Sequence, residues 1–340
     1  VPSILLVKTS SLGDVVHNLP VVSDIRRTFP DAAIDWVVED AFAAIPAMHP
    51  GVRRVITGAP RRWLRSMFSP STWHEIGELR ATFREHPCDL VIDTQGLLKS
   101  ALIGRLAPGT HHGLDWRSSR EPLRWAYDHT HAVPWGRHAV ERNRELAARA
   151  IGYAVAGPPV YGIEAPPFPP AEADDDSPDH EKRPWLDDQA RYGWAPPGVV
   201  FMVLLHATSA ERKLWPEHQW KKLAAHFGGA GVACVLPWGS AEEEARSHRI
   251  ADGVPNAIVP PRLGLRTLSG LLGKARCVVG VDTGLVHLAA ALGRPTVGIY
   301  VATDPVATGV YAGARAINVG SGKAAPTLAA VLSTITQAEG

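Results

Sequence analysis

The chain lacks the features that mark several common classes of protein. Its three cysteines, Cys88, Cys234 and Cys277, lie far apart with no CxxC or Cys/His spacing. That excludes a disulfide framework and a cysteine zinc site, and it fits a reducing compartment such as the cytoplasm. No apolar run reaches the length of a membrane span. The first run, residues 4–7, ends at Lys8 and a polar turn, which excludes a signal-peptide core. Val1 in place of Met is what a processed or trimmed end leaves. Net charge is also missing: 35 Lys and Arg stand against 34 Asp and Glu. With no global field there is no reason to expect a nucleic-acid partner, and any anionic partner must be met by a local patch. GxGxxG and GxxxxGK[ST] are both absent, so the chain carries neither a dinucleotide fingerprint nor a Walker loop.

What remains is 340 residues, 45% of them hydrophobic and 20% charged, enough for two cores of ordinary size. Short β-rich runs alternate with helical patterns, which predicts an α/β protein with parallel strands joined by crossover helices. In the first half, strands are predicted at 4–7, 34–38 and 90–92, with helices at 14–27, 97–106 and 137–151. A stretch rich in Pro, Asp and Gly follows, from 165 to 197, with little apolar periodicity. The alternation then restarts with strands at 199–205, 232–236, 277–281 and 296–300 and helices at 216–227, 242–251, 267–272 and 285–292. The expected organisation is an N-terminal Rossmann-like domain over 1–170, a linker over 171–197 and a second Rossmann-like domain over 198–320. The tail, 321–340, could pack back on the N-terminal domain. Open α/β sheets bind ligands beyond the carboxyl ends of their strands, so two such halves facing each other would place a site in the cleft between them.

Three polar segments stand immediately after predicted strands. The first is Lys8-Thr9-Ser10-Ser11-Leu12-Gly13-Asp14, followed one turn later by His17 and Asn18. Taken alone it reads equally well as a helix cap, with Ser accepting from the backbone and Asp favourably placed against the dipole. The second, His206 to Pro216, offers Thr208, Ser209 and Lys213, the hydroxyls and compact cation that suit a diphosphate, or else a solvated loop. The third, Gly280-Val-Asp282-Thr283-Gly284-Leu-Val-His287, runs from strand through a tight turn into a helix, whose first N–H groups make an anion site.

Together these segments resemble the lipopolysaccharide heptosyltransferases of the glycosyltransferase family 9 type, in particular those of type I. Further stretches agree with that pattern, among them Arg61-Arg-Trp63, Asp93-Thr-Gln-Gly, His138-Ala-Val-Glu-Arg142 and Leu236-Pro-Trp-Gly239. The resemblance spans nearly the whole chain, departing mainly in the Asp-rich linker and the C-terminal tail. It implies a GT-B fold, two Rossmann-like domains facing across a cleft. It implies inverting, metal-independent transfer of heptose from ADP-heptose to the first Kdo of Kdo2-lipid A, by an enzyme peripheral on the cytoplasmic face of the inner membrane, with no cofactor.

Carried over residue by residue, the resemblance makes Asp14 the catalytic base and Lys213 the diphosphate contact that also acts in catalysis. The donor would be met by Ser10, Ser11, Gly13, Thr208, Ser209, Asp282, Thr283, Gly284 and His287, with Glu243 of the Glu242-Glu-Glu244 run on the nucleotide ribose. No metal ligand is expected, since neither a clustered Asp/His set nor a DxD motif stands beside the phosphate segments. An anionic acceptor needs a local basic surface, which Arg61, Arg62, Arg65 and Arg120 would provide; Arg53, Arg54, Lys99 and Arg117 lie near them in sequence, and Trp63, Met67 and Phe68 make the stretch amphipathic and membrane-facing. The alternatives are the second heptosyltransferase of the core and a non-catalytic nucleotide-sugar binder, which would not need Asp14. An NAD-type oxidoreductase would need the missing GxGxxG.

Overall fold

The computed structural model describes residues 2–168 and 200–340, so the expected linker, 171–197, lies outside the described residues. The chain divides by its contacts into two units, Val1–Ile163 and Glu164–Gly340, a boundary a few residues before the expected one.

In unit 1 the elements follow in the order β1 (Ser3–Val7), α1 (Leu12–Val16), α2 (Leu19–Thr28), β2 (Ala33–Glu39), α3 (Ala44–Ala47), β3 (Val52–Gly58), α4 (Pro60–Arg65), α5 (Pro70–Glu85), β4 (Leu90–Asp93), α6 (Leu98–Gly104), β5 (Thr110–Leu114), β6 (His129–His131) and α7 (Ala139–Ile151). Unit 2 continues with β7 (Phe201–Leu205), α8 (Glu217–Gly229), β8 (Ala233–Val235), α9 (Ala241–Ala251), β9 (Ala257–Ile258), α10 (Leu265–Lys274), β10 (Cys277–Val281), α11 (Gly284–Ala291), β11 (Thr296–Ile299), α12 (Pro305–Thr308), β12 (Ala316–Val319) and α13 (Leu328–Glu339).

Each unit holds one six-stranded sheet, ordered β3-β2-β1-β4-β5-β6 and β12-β11-β10-β7-β8-β9. Every pairing is parallel. Numbered within its own unit, the second sheet has the same order as the first, the doubly wound Rossmann order in which the chain reverses direction between the first and fourth strands. The switch points are therefore β1/β4 and β7/β10. The central strands β7 and β10 are buried along their whole length, as strands covered by helices on both faces must be.

One local expectation changes. The single helix predicted over 14–27 is broken into α1 and α2 at His17 and Asn18, because Pro20 sits in the first turn of α2, where its missing N–H does no harm. The tail forms α13, which packs on β11, β12 and α8, with Val331, Ile335 and Ala338 buried in the unit 2 core beside Trp215, Trp220 and Leu223. In unit 1, Arg144 of α7 is fully buried against Asp24 of α2 at 2.7 Å and also donates to the carbonyls of Ala156 and Gly157, which joins three segments through one guanidinium.

Three buried histidines give the fold an acid limit. Burial pushes His49, His112 and His206 down to about 4, and His131 and His129 beside His112 add to its resistance to protonation. The unfolded chain takes up these protons near 6.5, so each group contributes stability that is fully present above about pH 6.5 and is lost as the pH falls toward 4. The melting temperature should therefore drop already between pH 6.5 and 5, before most carboxylates titrate. A melting temperature that stays flat down to pH 5 would contradict the neutral burial of these rings.

Candidate active site

At the switch point of unit 1, the loops after β1 and β4 are tied together. Lys8 is 5% exposed and donates from Nζ to the Thr94 carbonyl at 2.8 Å. Gln95 accepts at Oε1 from the backbone N–H groups of Thr9 and Ser10 at 3.1 and 3.2 Å. Gln95 is itself fixed by Asp93, a buried carboxylate that receives the N–H groups of Gln95 and Gly96, the Ser100 hydroxyl and the Tyr127 phenol, all within 3.0 Å. Burial raises Asp93 above the usual carboxylate range, against the pull of those donors. Burial likewise lowers the Lys8 ammonium, while Asp14 and Asp93 act to keep its charge.

Asp14 is half-buried in the first turn of α1, beside Gly13. The cap reading is correct as far as it goes: Asp14 Oδ2 accepts from both the N–H and the hydroxyl of Ser11 at 3.0 Å. Both bonds fall on one oxygen. His17 and Asn18 do not join the site, since both are buried where the chain turns from α1 into α2, with the His17 ring edge-on to His138 at 5.2 Å.

The basic residues separate into two groups that their sequence spacing did not distinguish. Arg61 and Lys99 converge: Ser10 Oγ accepts from both, at 3.1 and 2.5 Å, and Glu39 pairs with both, at 3.4 and 3.2 Å. Ser10, 1% exposed, thus holds two cations with the hydroxyl expected to meet the donor. Arg62 instead turns to Glu75 of α5 at 2.6 Å, and Arg53 and Arg54 both clamp the buried Asp35. Trp63 is buried, not membrane-facing, and donates to Glu75 as well. Arg65 and Arg120 are exposed. A cation named in the sequence pattern but given no role there is Arg142, whose guanidinium lies 4.0 Å over the Trp135 ring and donates to the Ser118 carbonyl, two residues from Arg120. Its Nε is buried without a partner, and the fields of Arg142 and Arg120 reach Lys8.

At the switch point of unit 2, Asp282 follows β10 and organises its neighbours. Lys213 Nζ lies 2.8 Å from Asp282 Oδ2, the Thr303 hydroxyl donates to the same oxygen at 2.7 Å, and His287 Nε2 is 4.0 Å from Oδ1. Thr208 Oγ1 donates to the Asp282 carbonyl at 2.9 Å, which joins the loop after β7 to the loop after β10. Ser209 beside it is exposed. Thr283 is the N-cap residue of α11 but makes no side-chain cap, and Gly284 opens the helix, whose first N–H groups have no partner within it. Thr303 was missed, although the strand-end rule that picked out Asp282 applies equally to the loop after β11. Beneath lies Tyr300, fully buried, whose phenol burial and Asp282 push well upward. Glu243 is occupied locally, accepting the Gly239 N–H at 2.7 Å while its own N–H donates to the N-cap hydroxyl of Ser240.

Each of the two Rossmann-like sheets gathers polar residues at its switch point, Asp14 and the Ser10 turn at one and Lys213 with Asp282 at the other. Two such sheets, with the full-length likeness to a solved heptosyltransferase, define a glycosyltransferase of the GT-B class. Within the class, the model of glycosyltransferase family 9 (heptosyltransferase) matches residues 76–333, and the chain belongs to that family. It is 43% identical over 320 residues to lipopolysaccharide heptosyltransferase 1 of Pseudomonas aeruginosa, covering 94% of this chain and 83% of that one. Among solved structures it is similar to E. coli heptosyltransferase WaaC with ADP, with a TM-score of 0.84, 37% identity and 99% of each chain covered. The likeness to the same enzyme with ADP-2-deoxy-2-fluoro heptose has a TM-score of 0.81 at 37% identity, covering 98% of this chain and 99% of that one.

Proposed function

We propose that this heptosyltransferase moves L-glycero-D-manno-heptose from ADP-heptose to the first Kdo of Kdo2-lipid A, with inversion and without a metal ion. The observation that carries the reading is the full-length likeness to an enzyme solved with an ADP-heptose analogue, joined to the Lys213–Asp282 arrangement at the start of α11. Inverting transfer needs one base on the face of the sugar opposite the leaving group. Asp14 serves, with Oδ2 held by the Ser11 cap and Oδ1 left to take the acceptor hydroxyl's proton as the new C–O bond forms. Lys213, the hydroxyls of Thr208 and Ser209 and the first N–H groups of α11 offset the charge that develops on the departing ADP. Glu243 meets the ribose with the carboxylate oxygen that Gly239 does not occupy. The Kdo carboxylate is met by Arg120 with Arg142 and Lys8 behind it, and by Arg61. A lipid-linked acceptor makes the enzyme peripheral on the inner face of the inner membrane; among the described residues no helix is long and apolar enough to cross it.

The direct test is incubation with ADP-heptose and de-acylated Kdo2-lipid A. ADP should be released, the acceptor should gain the mass of one heptose, and EDTA should change neither. No mass gain would overturn the reading of the acceptor, and an EDTA loss restored by Mg²⁺ would overturn the metal-free diphosphate chemistry.

The two groups of basic residues predict different outcomes. Changing Arg61 and Arg120 together to Ala should raise the acceptor KM by about one to three orders of magnitude, because a charge-assisted contact contributes on the order of 1.5–3 kcal/mol before solvent screening. The donor KM should hardly move. Arg62→Ala should leave both constants near those of the parent, since Arg62 turns to Glu75 of α5 while Arg61 reaches the Ser10 turn. Equal effects from Arg61 and Arg62 would mean that the stretch acts only as a diffuse charge.

A further inference from the structure

Three successive backbone N–H groups in the turn after β1 are taken by side chains. Those of Thr9 and Ser10 donate to Gln95 Oε1 at 3.1 and 3.2 Å, and that of Ser11 donates to Asp14 at 3.0 Å. Gln95 and Asp14 are thus seated on neighbouring peptides of one turn. The two donors also settle which way the Gln95 amide faces: its oxygen must meet the turn, so its NH2 group points away from it. Gln95 is only part-buried, and its amide N–H groups have no hydrogen-bond partner among the described residues. The backbone beneath is held firmly. Asp93 accepts the N–H groups of Gln95 and Gly96 on one oxygen and the hydroxyls of Ser100 and Tyr127 on the other. Gly96, at φ +66°, takes a left-handed conformation that a side chain would resist.

We infer that Gln95 is a specificity-determining residue of the transfer, its amide donating to a hydroxyl oxygen of the acceptor sugar close to the one whose proton Asp14 takes. An open α/β sheet receives its ligand in the crevice beyond the strand ends, and Gln95 follows β4 there just as the Asp14 turn follows its neighbour β1. Cations match the charge of an acidic acceptor. A neutral amide does something they cannot: it demands an oxygen at one place and leaves a desolvated donor unpaired when that oxygen is missing. Because the same amide holds the turn through its oxygen, a sugar seated on its nitrogen is registered against Asp14 through a single planar group. The inference deepens the functional reading and rests on it for the identity of the acceptor.

The test pairs Gln95→Glu with de-acylated acceptors that each lack one non-reacting hydroxyl of the acceptor Kdo. A carboxylate at this position still accepts from Thr9 and Ser10, so the turn and the melting temperature should stay as in the parent, but it carries no N–H. The acceptor KM should rise at least about tenfold while the donor KM stays put. The added negative charge contributes part of that rise, a part that salt screens. The hydrogen bond itself is read from the cycle: one deoxy acceptor should cost the parent about tenfold in kcat/KM and cost Gln95→Glu little, while the others cost both alike. Gln95→Ala, which also strips two backbone N–H groups of their partner, should in addition melt lower. An acceptor KM in Gln95→Glu within about twofold of the parent, a rise that vanishes in high salt, or a cycle with no coupled hydroxyl would each overturn the inference and leave Gln95 shaping the turn alone. Transfer by the parent to the complete acceptor checks the proposed function separately, and its absence would overturn that reading and this inference together.

Discussion

Asp14→Asn should lower the turnover of heptose transfer by about 10²–10⁴-fold while ADP binds as it does to the parent. The substitution removes the basicity of the carboxylate and little else. An Asn side-chain oxygen can still accept from the Ser11 N–H and hydroxyl that meet Asp14 Oδ2 at 3.0 Å, so α1 keeps its cap. Asp14→Ala should be equally inactive and in addition less stable, by about 0.5–2 kcal/mol, the usual cost of losing a helix cap. Comparing the two variants separates catalysis from local folding. Turnover in Asp14→Asn above roughly a hundredth of the parent would leave Asp14 a capping residue only.

Lys213→Ala should show the complementary pattern, with turnover reduced by about 10²–10³-fold, the range seen when one stabilising donor is removed from a developing charge. Here ADP affinity should fall as well, because the proposed contact of Lys213 is with the diphosphate in the ground state and in the transition state alike. The lysine is positioned by Asp282 Oδ2 at 2.8 Å, the oxygen to which the Thr303 hydroxyl also donates. Lys213→Arg should recover only part of the rate, since a planar fork cannot occupy the place of a compact ammonium beside that carboxylate. Single-turnover rates and calorimetric ADP binding, measured on both variants, are the readout. If Lys213→Ala binds ADP and turns over within about threefold of the parent, diphosphate handling belongs to the helix start and the hydroxyls alone.

Several elements were legible in the chain because their signal is local. The run Cys277–Val281 is continuously apolar and is bounded by a polar turn, and it is a strand over the residues expected. The breaks in legibility have equally local causes. Strands β5 and β6 consist largely of Thr, Gly and His, with His111 and His112 buried, so no apolar pattern announces them. The long helix α5 buries only Thr72, Leu79 and Phe83, too few to stand out as a stripe. Pro20 marked the interruption between α1 and α2, but helix propensity on either side concealed it.

The sequence by itself determined the α/β class, the near balance of charge, and the three polar turns that carry Asp14, Lys213 and Asp282, because each depends on residues within one strand, turn or helix start. Only the tertiary structure decided which turns meet. The sheet order makes β1 a neighbour of β4 and β7 a neighbour of β10, and so brings Gln95 to the Ser10 turn and Thr208 to Asp282 across 85 and 74 residues of chain. It also decided which cations are spent on structure, turning Arg53 and Arg54 to Asp35 and Arg62 to Glu75 while Arg61 joins Lys99 at Ser10 and Glu39. Adjacent arginines look alike in a sequence. Their roles differ because successive side chains on a strand or helix point in different directions, and what each one meets there is set by packing between distant segments.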